Sequence, residues 1–386
     1  MKIREVPFLA LGGLYEQDDV DAVARVTAGA MAESGSFFPL PEENEFQIAF
    51  ARHEGAAKAV AVNSCGTALD CCMMALGVGP GDEVVTTPLT FVCTAGTAVA
   101  RGARVVFADI DPRTLCLDPA EARRKITEKT KAVIPVHFAG LACDVDAFDE
   151  ITAQTGVPVV YDAAHAVGTR HKGRPVGGCG LASCYSFQSN KNMTCLGEGG
   201  AVTTNDETFA ETVRQLKTFG YVYGGSAVRV ARIGFNYRMT KAQYAVGLTQ
   251  LAKIDRVVEA RQARMCRLNE LLAGVEEVIL PAGHGPGHGS HLYVLQVNTD
   301  KTRFTTPRFV EHLKGRYKVG TAKHYPAVWT WEAFARLGYN GEGCPIAAKA
   351  CKQVVSLPVF GRTTDEDLEY IAWAVRQSIA DLAEAH

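Results

Sequence analysis

The 386-residue sequence contains no uninterrupted apolar run that approaches about 18 residues, the minimum for a membrane-spanning helix. Residues 1–8 include no apolar stretch long enough for a signal peptide. Forty basic and 42 acidic residues leave a formal net charge of −2, and no basic block stands out. These absences argue against a membrane protein, an exported protein and a nucleic-acid partner. They predict a cytoplasmic protein that acts on a small molecule.

The cysteines form no pattern that would hold a metal ion or a redox centre. There are 12 of them, but they are scattered and include no Cys-x-x-Cys pair. In a chain of this size, scattered cysteines are typical of reduced thiols in the core of an intracellular protein. We therefore predict no metal site.

Short β-branched segments alternate with helix-like segments between about residues 45 and 205. The predicted strands are residues 59–63, 83–87, 104–108, 132–135, 158–161, 182–187 and 200–204. This alternation indicates a layered α/β fold with helices on both faces of the sheet. Ligands of such folds bind where strands end and helices begin.

Lys191 lies in the most informative segment, between the end of a predicted strand and Gly197-Glu198-Gly199-Gly200. A lysine in a half-buried pocket can have its pKa lowered enough to act as an amine nucleophile, forming a Schiff base with an aldehyde cofactor. An isolated lysine is more often a solvated loop residue, because lysines are mostly exposed.

Asp162 ends another predicted strand and precedes Lys191 by about one strand–helix–strand unit. A carboxylate in the same cleft as Lys191 is what pyridoxal phosphate requires, because it keeps the pyridine nitrogen protonated and lets the ring accept electrons. Taken alone, Asp162 also suits a helix cap. His165 could pack on the cofactor ring or bond its 3-hydroxyl, or could be a core histidine. Phe91 could stack on the other face, or be core.

Gly66 and Thr67 lie in a turn that follows a strand and opens a helix. The glycine permits close approach of the backbone, and the helix N-terminus and the threonine hydroxyl offer donors to a phosphate. Most such turns bind nothing. Ser186 could reach the same phosphate, although serines in strands usually bond only to the backbone.

Segments throughout the chain resemble the pyridoxal-phosphate-dependent sugar aminotransferases of the DegT/StrS type. In family order they are Val6-Pro7-Phe8, Ser34-Gly35, Cys65-Gly66-Thr67-Ala68-Leu69, Gly79-Pro80-Gly81-Asp82-Glu83-Val84-Val85, Thr90-Phe91, Asp109-Ile110-Asp111, Pro135-Val136-His137-Phe138-Ala139-Gly140, Asp162-Ala163-Ala164-His165, residues 186–200, Gly234-Phe235-Asn236-Tyr237-Arg238-Met239, His324-Tyr325-Pro326 and Ser356-Leu357-Pro358. Two places depart from the family pattern. Cys65 replaces the usual serine, and residues 188–190 differ from the usual sequence before the lysine.

The resemblance implies the aspartate-aminotransferase fold. Residues 1–250 would form a large domain that binds the cofactor and contains a mostly parallel seven-stranded sheet between helices. Residues 251–386 would form a smaller α+β C-terminal domain.

The resemblance also implies roles around the cofactor ring. Lys191 would form the internal aldimine with pyridoxal 5′-phosphate and transfer the proton. Asp162 would pair with the pyridinium, and His165 and Phe91 would flank the ring.

The phosphate would be bound by three residues of one subunit, Gly66, Thr67 and Ser186. Asn236 would reach it from the neighbouring subunit, so the active unit would be a homodimer with shared active sites. Lys217, Tyr223, Arg229, Arg238 and His324 are possible contacts for sugar or diphosphate groups.

The implied reaction moves an amino group by a ping-pong route from glutamate or glutamine to a keto-sugar, in the biosynthesis of amino sugars, surface glycans or antibiotics. Residues 162–169 look most like members that aminate a nucleotide-linked 4-keto sugar. A keto-cyclitol or another natural-product ketone is an alternative substrate. Family members with histidine in place of Lys191 dehydrate the sugar instead, so the lysine favours aminotransfer. A non-catalytic, cofactor-binding regulatory protein is a further alternative, which the intact Asp162 and Lys191 disfavour.

Overall fold

The computed structural model describes residues 1–9, 11–32, 41–224 and 227–384. The strands in this part of the chain are β1 (Lys58–Val62), β2 (Glu83–Thr86), β3 (Arg104–Phe107), β4 (Thr130–Ile134), β5 (Val160–Asp162), β6 (Arg170–His171), β7 (Arg174–Pro175), β8 (Ala182–Ser186), β9 (Gly200–Thr204), β10 (Tyr221–Gly224), β11 (Ala227–Val230), β12 (Val278–Ile279), β13 (Tyr293–Val297) and β14 (Val354–Leu357). The α-helices are α1 (Gln17–Ala32), α2 (Glu42–His53), α3 (Cys65–Ala75), α4 (Val92–Ala100), α5 (Pro119–Lys125), α6 (Val145–Thr155), α7 (Glu207–Lys217), α8 (Lys241–Leu272), α9 (Thr306–Tyr317), α10 (Glu332–Arg336), α11 (Pro345–Gln353) and α12 (Asp365–Glu384). Ser34-Gly35 and the side chain of Tyr223 lie outside the described part.

Seven strands form the central sheet in the order β3-β2-β4-β5-β8-β9-β1. Hydrogen bonding is parallel from β3 through β2 to β4 and again between β5 and β8. Parallel bridges from Val133 to Val159 and from Val136 to Asp162 join β4 to β5. β9 runs antiparallel to both of its neighbours, β8 and β1. The prediction of a mostly parallel seven-stranded sheet is confirmed, and each predicted strand overlaps one of these seven.

The connection between β8 and β9 contains no helix, whereas α4, α5 and α6 lie in the connections from β2 to β3, from β3 to β4 and from β4 to β5. Parallel neighbours need a long crossover, whereas antiparallel neighbours can be joined by a loop. Residues 187–199 form this loop, and Lys191 lies in it. The reversal of strand direction therefore leaves Lys191 on a loop at the end of a buried strand.

The C-terminal region has its own antiparallel sheet, β12-β13-β14, and its own apolar core against α9 and α12. α8 passes through the predicted boundary at residue 250. Its residues Ile254 and Val258 pack with the aromatic side chains of α2, whereas Met265 and Leu268 pack in the C-terminal core. One continuous helix thus contributes to both cores, and the division into two domains at residue 250 stays a prediction.

None of the helices described above is both long enough and apolar enough to span a membrane.

Asp109, just beyond the end of β3, connects the central sheet to the C-terminal region. Its buried carboxylate accepts hydrogen bonds from the backbone N–H groups of Ile346 at 2.9 Å and Ala347 at 2.7 Å. These groups belong to the first turn of α11, where backbone donors have no partners within the helix. Asp109 therefore caps a helix that is distant in sequence.

We expect Asp109→Ala to lower the free energy of unfolding by about 1–3 kcal/mol, because two backbone donors in the first turn of α11 would lose their acceptor. Urea denaturation measures this change. Asp300→Ala is the matched control, because Asp300 bonds Lys349 of the same helix at 2.6 Å, but in an exposed ion pair. Its loss should cost at most about 1 kcal/mol. Equal effects of the two variants would contradict the capping role.

Candidate active site

A cavity of about 530 Å³ lies where the carboxyl ends of β5 and β8 meet the first turns of α3 and α4. Its volume is within the range of roughly 300–1,000 Å³ that is usual for small-molecule sites. Six of the eight residues predicted to act in catalysis or to bind the cofactor line this cavity: Gly66, Phe91, Asp162, His165, Ser186 and Lys191.

Two backbone hydrogen bonds hold the Lys191 loop, one within the loop and one from outside it. Within the loop, the backbone N–H of Lys191 donates to the carbonyl of Gln188 at 2.9 Å. From outside it, the N–H of Gly12 donates to the carbonyl of Ser189 at 2.9 Å. A Cβ atom at Gly12 would lie 2.0 Å from the carbonyl oxygen of Asn190. Only glycine can therefore make this close approach to the loop.

The surroundings of Lys191 make its amine easier to deprotonate than that of an exposed lysine. Burial lowers the pKa of Lys191 below its ordinary value, and the negative charge of Asp162 opposes this shift. A neutral amine is a nucleophile and a base, whereas an ammonium ion is neither. The cavity therefore favours the reactive form of Lys191.

Asp162 is 3% exposed and is held by hydrogen bonds to both carboxylate oxygens. The Thr94 hydroxyl donates to Oδ2 at 2.7 Å, and the backbone N–H of Ala164 donates to Oδ1 at 3.0 Å. Thr90 Oγ1 lies 2.7 Å from Thr94 Oγ1 and extends the series of hydrogen bonds that leads to Asp162. Burial raises the pKa of Asp162, and the bond from Thr94 lowers it. The hydrogen bonds thus favour the carboxylate form, which burial disfavours.

Cys65, which occupies the usual serine position, lies directly beside this carboxylate. Its Sγ is 3.8 Å from Asp162 Oδ1 and 3.3 Å from the carbonyl oxygen of Cys184. Burial and the negative charge of Asp162 raise the pKa of the Cys65 thiol. The thiol therefore keeps its proton and acts as a weak donor.

His165 forms part of the cavity wall with both ring nitrogens engaged. The N–H of Ala139 lies 3.2 Å from Nδ1, and the Tyr325 hydroxyl lies 3.0 Å from Nε2. Burial lowers the pKa of His165 well below its ordinary value, so the ring is neutral. Phe91 is 55% exposed, and its ring centroid is 6.0 Å from that of Tyr325.

The predicted phosphate-binding residues are divided between two places. Gly66 and Ser186 line the cavity. A Cβ atom at Gly66 would lie 3.7 Å from Ser64 Oγ, which is ordinary contact, so no packed protein atom requires the glycine. Thr67 instead forms a capping box with Ser64 at the start of α3, and its hydroxyl donates to Asn63 Oδ1 at 2.8 Å.

Asn236 does not line the cavity of its own chain, among the residues that the structure describes. Its side chain is exposed, and its Oδ1 accepts a hydrogen bond from Arg238 Nε at 3.0 Å. A single chain therefore presents Asn236 on the surface.

The possible sugar contacts are also separated. His324 lines the cavity, and burial lowers its pKa to about 4. Lys217 is buried and bonds Glu43 and the carbonyl of Ala61, and with Arg238 it borders a different cleft of about 660 Å³. Arg229 is exposed on β11.

Sequence reasoning missed Thr94 and assigned no role to Tyr325. Thr90 lies two residues before α4 and Thr94 lies in its first turn, four residues apart in the sequence, and their hydroxyl oxygens are 2.7 Å apart. That spacing was a usable signal. Tyr325 appeared only within a matching segment, because its place in the cavity depends on how the C-terminal region packs.

The model of the DegT/DnrJ/EryC1/StrS aminotransferase family matches residues 17–376. The chain is 39% identical over 358 residues to the spore coat polysaccharide biosynthesis protein SpsC of Bacillus subtilis, with coverage of 90% of this chain and 92% of that protein. Its fold is similar to that of DesV from S. venezuelae, with a TM-score of 0.85, 31% identity and coverage of 94% of each chain.

The structure is also similar to 3-amino-5-hydroxybenzoic acid synthase, with a TM-score of 0.87, 28% identity and coverage of 98% of this chain and 100% of the other. The predicted aspartate-aminotransferase fold and enzyme class are thereby confirmed. Aminotransferases of this family use pyridoxal 5′-phosphate, as the sequence predicted. The chain belongs to the DegT/DnrJ/EryC1/StrS aminotransferase family.

Proposed function

We propose that this aminotransferase moves an amino group from glutamate or glutamine to a keto-sugar and that Lys191 is its catalytic residue. The observation that carries the proposal is that Lys191 and Asp162 line one cavity, the first with a lowered pKa and the second hydrogen-bonded as a carboxylate. This is the pair that pyridoxal phosphate chemistry requires. The proposal includes a cytoplasmic location, which stays a prediction.

The residues present fit the cofactor. Asp162 is a buried acceptor for a protonated ring nitrogen, and its other neighbours already donate to it. His165 and Phe91 line the cavity with aromatic side chains. Gly66 lies in the first turn of α3, where free backbone donors and a positive helix end favour a phosphate, and Ser186 adds a hydroxyl.

When bound, pyridoxal 5′-phosphate supplies an aldehyde that accepts the amino group and a ring that stabilises negative charge at the reacting carbon. Lys191 Nζ removes the proton from the α-carbon of the amino-acid donor. The same nitrogen returns a proton to the sugar carbon that receives the amine. Both half-reactions therefore use one base in one cavity, where the two substrates would bind in turn, as in a ping-pong scheme.

A keto-sugar carried on a nucleotide is the substrate that we favour, with the ketone at the sugar's 4-position. SpsC, whose match covers 90% of this chain, is named for polysaccharide biosynthesis. A keto-cyclitol or another ring ketone is the second candidate, which the likeness to 3-amino-5-hydroxybenzoic acid synthase favours. Dehydration and a purely regulatory role are disfavoured, because Lys191 is present and lines the same cavity as Asp162.

We also propose a homodimer in which Asn236 completes the neighbour's phosphate site. Around Asn236, large apolar side chains are exposed, including Ile233, which is 83% exposed, Phe235 and Phe219. Val228 and Val230 on β11 add to this apolar surface. Several exposed apolar side chains within one short segment are typical of an interface, and they support shared active sites.

We expect Lys191→Ala to reduce amino transfer by roughly 10²–10⁴-fold or more, because no other group replaces the base. Mass spectrometry of the aminated product measures this loss, with glutamate or glutamine offered to a panel of keto-sugar nucleotides and keto-cyclitols. The panel also separates amination from loss of water. Lys172→Ala is the control, because Lys172 is exposed and paired with Asp146. Full activity in Lys191→Ala would refute the assignment.

We expect Thr94→Val to move the acidic limb of the kcat/KM profile to higher pH. The hydroxyl lowers the pKa of Asp162, so its removal lets the carboxylate take up a proton at higher pH, and activity is lost earlier as the pH falls. Cofactor affinity, measured by absorbance titration, should fall roughly tenfold. Thr94→Ser keeps the hydroxyl and should retain the wild-type profile. An unchanged limb in Thr94→Val would contradict the role of Thr94.

Mixing two inactive variants tests the shared site. We expect Lys191→Ala and Asn236→Ala to be inactive or weakly active alone. After mixing under conditions that exchange subunits, each mixed dimer contains one intact site, which restores about a quarter of the wild-type activity. Activity assays before and after exchange measure this recovery. Absence of recovery, with subunit exchange verified by mass, would exclude a site shared through Asn236.

A further inference from the structure

His165 and Tyr325 form a hydrogen-bonded pair whose direction the structure defines. The backbone N–H of Ala139 can only donate, so the Nδ1 atom 3.2 Å away must accept. The ring is neutral, because burial and the positive charge of Lys191 lower the pKa of His165 well below its ordinary value. A neutral imidazole carries one proton, which must then be on Nε2.

The position of that proton determines what the Tyr325 hydroxyl can do. Nε2–H donates to Tyr325 Oη at 3.0 Å, so the tyrosine oxygen is the acceptor of this bond. The proton of the Tyr325 hydroxyl therefore remains free to donate a second hydrogen bond. Burial, with the negative charge of Asp162, raises the pKa of Tyr325, so the hydroxyl stays protonated. Among the residues that the structure describes, no acceptor for this proton is found.

Tyr325 borders the same cavity as Asp162 and Lys191, and the free proton is available to a molecule bound there. His165 itself has no free nitrogen to offer, because Ala139 and Tyr325 occupy both. The direct bond from His165 to a cofactor hydroxyl, one of the roles that the sequence suggested, is therefore not the bond that this arrangement provides. The donor is instead Tyr325, the residue to which His165 is hydrogen-bonded.

We propose that Tyr325 donates a hydrogen bond to a negatively polarised oxygen of a molecule bound in the cavity, and that His165 is a positioning residue that directs this donor. The proposal rests on the proposed function, because the bound molecules are the cofactor and the substrates. The acceptor is either the phenolic oxygen of pyridoxal phosphate or a substrate oxygen. A preorganised donor of this kind stabilises negative charge strongly in a site from which water is excluded.

Tyr325→Phe is the direct test, because it removes one hydroxyl and keeps the ring that contacts Phe91 and His165. The absorbance of the pyridoxal phosphate holoenzyme is titrated against pH without substrate. If the acceptor is the cofactor oxygen, loss of the donor destabilises the anionic oxygen and raises the pH midpoint by about one unit. Tyr339→Phe is the matched control, because the Tyr339 hydroxyl bonds the Val105 backbone away from the cavity.

If the acceptor is a substrate oxygen, the midpoint stays unchanged, and kcat/KM for one of the two substrates falls about tenfold or more. If a folded Tyr325→Phe holoenzyme shows neither of these changes relative to Tyr339→Phe, the proposal is overturned. Site-specific 3-fluorotyrosine at 325 provides a second readout that preserves the hydroxyl. As a more acidic donor, it should shift the same midpoint or kcat/KM in the opposite direction.

The positioning role of His165 is tested by a double-mutant cycle. If His165 acts through Tyr325, then His165→Phe changes the affected quantity in the wild-type background and changes it little in the Tyr325→Phe background. Additive effects would overturn this part of the proposal. A wild-type enzyme that binds pyridoxal phosphate but aminates no ketone would refute the proposed function, while the midpoint comparison would still report on Tyr325.

Discussion

The parallel pairing of β5 with β8 is the constraint on which the site depends. Asp162, the last residue of β5, lies opposite Cys184, and β8 ends two residues later at Ser186. Because parallel strands end at the same edge of the sheet, Asp162 and the loop that carries Lys191 emerge side by side. The register of this one pair thus brings together two groups that are 29 positions apart in the printed sequence.

Placing these groups in a buried cavity creates an electrostatic cost that the surroundings reduce. Burial disfavours both charged forms, raising the pKa of Asp162 and lowering that of Lys191. Thr94 and the Ala164 backbone counter this effect only at the carboxylate. The hydrogen bonds favour the carboxylate form of Asp162, while burial keeps the pKa of Lys191 lowered, as expected for a base beside a group that binds a cation.

The sequence predicted those parts of the fold and the site that local patterns determine. Apolar segments separated by helical ones predicted the seven strands, and the family resemblance implied the mostly parallel sheet that they form. Asp162, Ser186 and Lys191 were identified because they lie at or just after strand ends. Thr94 was missed because its hydroxyl matters only through the carboxylate that it contacts. Tyr325 received no role because it is more than 130 residues from Lys191 and reaches the cavity only after the C-terminal region has packed.

Gly12, near the N-terminus, also helps to position Lys191. Its N–H bonds the Lys191 loop, and a side chain at this position would collide with the backbone of Asn190. Arg261 of α8 connects the same region to the C-terminal part, because it donates to the carbonyls of Ser290 and Gly12. The loop that carries Lys191 is therefore held by an N-terminal segment, and this segment is bonded in turn to a helix shared by two apolar cores. Since both contacts are tertiary, the geometry of the reactive amine depends on the whole chain being folded, although the residues that lend it chemical reactivity lie within the central sheet.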